Sequence, residues 1–103
     1  MKLVVKHFHN VVKNPRTYAT YEFDTPEELE DIIREYIDIE QDFDLYINPG
    51  HLESKIELVT SEYSGLFCIE YWAARKPMED FNQHEDSNFV EHAIDYIIND
   101  IFG

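Results

Sequence analysis

Residues 25–40 read TPEELEDIIREYIDIE, and this stretch decides the fold. Thr25 can cap a helix, Pro26 suits its first position, and Glu28 completes a capping box. Leu29, Ile32, Ile33, Tyr36 and Ile37 follow at i, i+3, i+4, i+7 and i+8. That spacing predicts a helix over 26–40 with one apolar stripe. Its outward face carries Glu27, Glu28, Glu30, Asp31, Glu35, Asp38 and Glu40, and only Arg34 opposes them. A helix with a single apolar stripe needs a second layer to bury it.

The flanking sequence supplies that layer. Residues 2–12 (KLVVKHFHNVV) are rich in β-branched and aromatic types and read as a first strand. Asn14-Pro15 marks a turn. Thr17 to Phe23 reads as a second strand with Thr17, Ala19, Tyr21 and Phe23 on one face, so the two form an antiparallel hairpin. Phe43 to Ile47 alternates as a third strand, and Asn48-Pro49-Gly50 breaks it. Lys55 to Thr60 and Leu66 to Ala74 are a fourth and a fifth strand, joined through a turn at Glu62-Tyr63-Ser64-Gly65. On the fifth, Phe67, Ile69, Tyr71 and Ala73 share one face and Leu66, Cys68, Glu70 and Trp72 the other. Both faces carry apolar groups, which predicts a central strand at least partly covered on both sides.

Residues 75–87 are polar and read as the longest loop. A last helix spans about 88–101, with Ser87 or Asn88 as cap. Val90, Ala93, Ile94, Ile97, Ile98 and Ile101 form its apolar face, and Glu91, His92, Asp95 and Asn99 face out. The order β-β-α-β-β-β-α predicts one α+β domain: a mostly antiparallel five-stranded sheet with two helices on one face. The other sheet face is left to solvent or to a partner.

Composition agrees with a packed domain. The 103 residues are 44% hydrophobic and 15% aromatic, which argues against disorder despite the charge. No apolar run approaches the roughly 18–20 residues that span a bilayer. The N-terminus is too polar and interrupted for a signal peptide. A soluble, cytoplasmic protein is the expectation, and the single Cys68 fits a reducing compartment. Cys68 itself reads as a small buried hydrophobe, with no basic neighbour to activate it.

The charge points to function. The chain holds 22 carboxylates against 8 Lys and Arg, a net charge of −14. Residues 1–21 contain Lys2, Lys6, Lys13 and Arg16 and no carboxylate, so the remainder carries −18. Such a field repels nucleic acid and anionic membranes and attracts basic partners. No Ser-His-Asp order, nucleophile elbow, phosphate-binding Gly loop or Cys/His zinc framework is present. A cofactor-free, non-enzymatic role follows as the expectation. Carboxylates along the helix and the next loop could imitate nucleic-acid phosphates and fill the Lys/Arg groove of a nuclease. The candidate contact residues are Glu27, Glu28, Asp31, Glu35, Asp38, Asp42 and Asp44, with Tyr63 and Trp72 as aromatic anchors; core packing is the plainer reading of those two aromatics. The plain reading of the same row is a solvated helix face. Small acidic α+β proteins of this size are frequent among bacterial immunity proteins and phage anti-defence proteins, an analogy of size, charge and architecture only.

Three weaker patterns compete. His7-x-His9 places two imidazoles on one strand face, where carboxylates could complete a metal site. Polar positions on a sheet surface are the plainer reading. Glu53-Ser54-Lys55 after Asp42 or Asp44 faintly suggests the carboxylate and lysine set of metal-dependent nucleases, against which the negative field counts. An uncovered sheet face also permits a homodimer, in which the cationic hairpin of one copy meets an acidic face of another.

Overall fold

A computed structural model describes residues 1–7, 16–39, 42–48, 53–60, 67–82 and 88–103. The chain forms β1 (Lys2–His7), β2 (Arg16–Glu22), α1 (Pro26–Ile37), β3 (Phe43–Asn48), β4 (Ser54–Thr60), β5 (Phe67–Ala73), β6 (Lys76–Asn82) and α2 (Phe89–Phe102). The sheet order is β2-β1-β3-β4-β5-β6, and every neighbouring pair is antiparallel. β2 and β3 therefore run parallel on either side of β1, with α1 spanning between them. The α+β class and the antiparallel sheet match expectation.

The sheet has six strands rather than five. Residues 76–82, expected as loop, form the edge strand β6. Its polar sequence is that of an edge: Phe81 is buried and the other six residues are exposed. Pro77 suits such a position. The hairpin joining β5 to β6 turns on Ala74 and Arg75, whose φ angles are +52° and +62°. Neither is Gly or Asn, the usual signal for a tight turn, so nothing local announced it.

α1 begins as its sequence prescribes. Thr25 is the N-cap, and its hydroxyl accepts from the Glu28 N–H at 3.3 Å while donating to the Glu28 carboxylate at 3.1 Å, so Glu28 meets the Thr25 hydroxyl where the expected capping box would have it meet the Thr25 backbone N–H. Leu29, Ile32, Ile33 and Tyr36 are buried. The helix ends at Ile37, three residues earlier than expected. α2 starts after Asn88 and buries Phe89, Ala93, Ile94 and Ile97.

Both helices cover the same sheet face. Leu3 and Val5 of β1, Phe43, Leu45 and Ile47 of β3, Ile56 and Leu58 of β4, Ile69 and Tyr71 of β5, and Phe81 of β6 join the helix stripes in one core. Side chains of each full size bury roughly 1.5–3 kcal/mol apiece, so this single layer carries the fold. Arg34 pins the helices together outside the core, at 2.8 Å from Glu30 and 2.6 Å from Glu91 of α2.

A bulge between Val5 and Lys6 alters β2. Ala19 and Tyr21 pack on the core, but the register skips Tyr18, and Thr17 pairs with Lys6. The expected face of Thr17, Ala19, Tyr21 and Phe23 is thus broken at Thr17. Tyr18 sets its ring edge-on to Tyr36 and Phe43 while remaining 63% exposed. The expected extension of the first strand to residue 12, the Asn14-Pro15 turn, the break at Pro49-Gly50, Glu40 and the turn at 62–65 lie outside the described residues.

Candidate functional site

Two charged surfaces result, on opposite sides of the sheet. The first is the outer face of α1. Glu27, Glu28, Asp31, Glu35 and Asp38 are exposed there. None has a cation within ion-pair distance among the described residues, because Arg34 is committed to Glu30 and Glu91. That double contact holds Arg34 above its ordinary pKa, chiefly through the hydrogen bond to Glu91 and next through Glu30. It correspondingly holds Glu91 below the usual carboxylate range. Glu27, Asp31 and Glu35 stand at i, i+4 and i+8, about 6 Å apart along the axis. Like-charged i,i+4 neighbours are mutually destabilising by about 0.2–0.5 kcal/mol per pair.

The second surface is the sheet face turned away from both helices. Alternation places Lys2, Val4 and Lys6 of β1 on it, then Asp44 and Tyr46 of β3, Lys55, Glu57 and Val59 of β4, Cys68, Glu70 and Trp72 of β5, and Asp80 of β6. The register sets Lys6, Asp44, Glu57, Glu70 and Asp80 in one row across five strands. Next to it lies a second row of Val4, Tyr46, Lys55, Trp72 and Pro77.

Asp44 therefore does not continue the α1 row. It is buried on the far side of the sheet and pairs with Lys55 at 3.3 Å. Lys55 also reaches Glu57 at 3.9 Å. Burial lowers the Lys55 pKa, but Asp44 and Glu57 more than offset it and leave the ammonium above its ordinary value. Lys6 lies over the Tyr46 ring, 4.5 Å from its centroid. Glu57 is pushed up, first by burial and then by Asp44 and Glu70 against the pull of Lys55. Asp42, just before β3, is half-buried, and Glu53 is exposed. Tyr63 lies outside the described residues.

Trp72 is half-buried on this open face, not in the core as its neighbour Tyr71 is. No helix covers that side of β5 among the described residues, yet Cys68, Glu70 and Trp72 are half-buried there, which agrees with partial cover on this face. The indole N–H of Trp72 is buried without an acceptor among them. Cys68 is also half-buried on this face rather than in the core. Its thiol lies 2.8 Å from an Asp80 oxygen and donates to it. Burial first, and then Asp80, push the thiol up to about 12.

Cys68, Glu70 and Asp80 offer three metal-type donor atoms within 4.8 Å of one another. The protonated thiol already satisfies Asp80, so those two hold together as a hydrogen-bonded pair beside Glu70. His7 is not part of it; its ring packs against Phe43 at 5.2 Å. His9 lies outside the described residues. Among the described residues no helix is long and apolar enough to cross a membrane.

The residues of the open face that sequence reasoning did not single out are Lys6, Glu57, Glu70 and Asp80; Lys55 it named only beside Glu53, and the structure instead pairs it with Asp44. Alternation within 54–60 and 67–73 fixes which side each takes, but only the register brings them into rows. Compared with known proteins, the chain matches no family model, no curated protein and no solved structure.

Proposed function

We propose that this chain is a small non-enzymatic inhibitor of a basic protein, a toxin nuclease or another nucleic-acid-processing enzyme. It would act as an immunity or phage anti-defence protein. The observation that carries the reading is the outer face of α1, where Glu27, Glu28, Asp31, Glu35 and Asp38 are exposed and unanswered by any cation among the described residues. A rigid line of carboxylates keeps its mutual repulsion in the free protein, and a Lys/Arg groove relieves it. The mechanism is occlusion of the partner's phosphate-binding groove, with the −14 field steering the encounter.

The metal-binding alternative through His7 and His9 has less support, since His7 packs on an aromatic ring and stands apart from the three-donor group.

Capture on the immobilised protein from its source cell, followed by identification, tests the proposal. The expected result is a basic protein whose nucleic-acid binding or cleavage stops when the complex forms. A captured partner whose nucleic-acid activity is unchanged in the complex would contradict it.

A further inference from the structure

We propose that the open sheet face is the interface of a two-fold homodimer, with the lysine end of one copy lying over the carboxylate end of the other. This inference does not depend on the inhibitor reading, because α1 lies on the opposite side and stays outward in both copies.

The face is polarised along the strand order. Its cations Lys2 and Lys6 lie on β1, and its carboxylates Glu70 and Asp80 lie on β5 and β6. The middle is compensated by the Asp44–Lys55 pair at 3.3 Å. Among the described residues three lysines thus meet five carboxylates, counting Glu57 in the middle and Glu22 opposite Lys2. Those described residues sum close to neutral in a chain of net charge −14. It is the broad surface on which a second copy is least repelled.

The pattern is also self-complementary. The sheet order β2-β1-β3-β4-β5-β6 has its midpoint between β3 and β4. A two-fold axis there, parallel to the strands and in the plane of contact, lays β1 of one copy over β5 of the other. It lays β3 over β4 likewise. Positions in the same row then meet. Lys6 comes over Glu70, Val4 over Trp72, and the Tyr46 ring over Lys55. Each contact occurs twice. Among the described residues the one like-charged meeting, Asp44 over Glu57, has Lys55 beside both carboxylates in each copy, at 3.3 and 3.9 Å. Packed sheets rotate by about 30°, so the match is by region rather than by atom.

Size sets the strength. Six strands at about 4.8 Å spacing and some 20 Å long give a flat area of about 500 Å² per copy. The total, about 1,000 Å², sits at the low end for specific association. A dimer with Kd in the micromolar range or weaker is expected.

Sedimentation equilibrium at near-physiological salt, where screening acts beyond about 8 Å, reads this directly. Wild-type protein should dimerise, and Lys6→Glu and Glu70→Lys should each weaken self-association at least tenfold. An equimolar mixture of the two variants should regain a 1:1 dimer, because each contact is again opposite in sign. A monomeric wild type up to about millimolar concentration would overturn the proposal. So would single variants that dimerise as the wild type does, or a mixture that stays monomeric while both variants show native circular dichroism. Zero-length carbodiimide coupling of mixed ¹⁴N- and ¹⁵N-labelled wild-type protein needs no variant. It should join Lys6 to Glu70 between chains, since within one chain three strand spacings, about 14 Å, separate them. Interchain links confined to other pairs would overturn the proposed geometry.

Discussion

Glu57 and Glu70 stand directly opposite each other on β4 and β5, two carboxylates paired across the ladder on the face that both helices leave open. Like charges in directly opposed positions destabilise a sheet. Burial first, and then Asp44 and Glu70 against the pull of Lys55, push Glu57 above the usual carboxylate range. The folded protein then holds a proton at a pH where the unfolded chain has lost it. The contribution of Glu57 to stability therefore falls as pH rises from the unfolded value, near 4.3, through the raised folded value.

Glu57→Gln mimics the protonated form at every pH. It should stabilise the protein at pH 7 by about 0.2–1 kcal/mol. The difference should vanish below about pH 4, where the wild-type residue is itself protonated. Urea unfolding at the two pH values checks this. A loss of stability at pH 7 would mean that the contact with Lys55 outweighs both burial and Glu70.

The β5–β6 turn stores backbone strain. Ala74 and Arg75 both adopt positive φ, which costs a side-chain-bearing residue roughly 1 kcal/mol. Replacing Ala74 with Asn and Arg75 with Gly supplies the residues that such a turn favours. The double variant should gain about 1 kcal/mol in urea unfolding, with the same dependence on urea. No gain would mean that the turn residues make compensating contacts.

Cys68 should be a slow nucleophile. Its thiol is pushed up to about 12, against about 8.5 for a free cysteine. Alkylation at pH 8 should run at least 10²-fold slower than on a free thiol and should speed up in urea. Asp80→Asn should accelerate it in the folded protein, because it removes the carboxylate that raises the thiol. Reaction of the native protein at the free-thiol rate would contradict the geometry.

The sequence made α1 legible because its signals are local. Thr25, Pro26 and Glu28 mark its start, and Leu29 through Tyr36 mark its buried stripe. β3 was equally plain, since Phe43, Leu45 and Ile47 alternate with polar partners. β6 was not, because an edge strand with one buried residue has no apolar period, and its turn uses neither Gly nor Asn. The acidic row on α1 was readable as helix periodicity. Its apparent continuation to Asp44 was not real, because proximity in sequence says nothing about which side of a sheet a residue takes. The row through Lys6, Asp44, Glu57, Glu70 and Asp80 depends on register across five strands, a non-local property. Lys6 and Glu70 are far apart in sequence, and no period within either strand relates them.

The central claim concerns the outer face of α1, and charge reversal there tests it most directly. Glu28, Asp31 and Glu35 are exposed and off the buried stripe, so reversing all three to Lys should leave the fold intact by circular dichroism. The measurement is the association rate of the captured basic partner with the wild type and with this triple variant, each at about 0.05 M and about 0.5 M salt. The wild-type rate should fall at least tenfold as salt rises, and the folded triple variant should lose binding. A triple variant that binds at the wild-type rate would contradict the account and leave the acidity of α1 as a solvated surface.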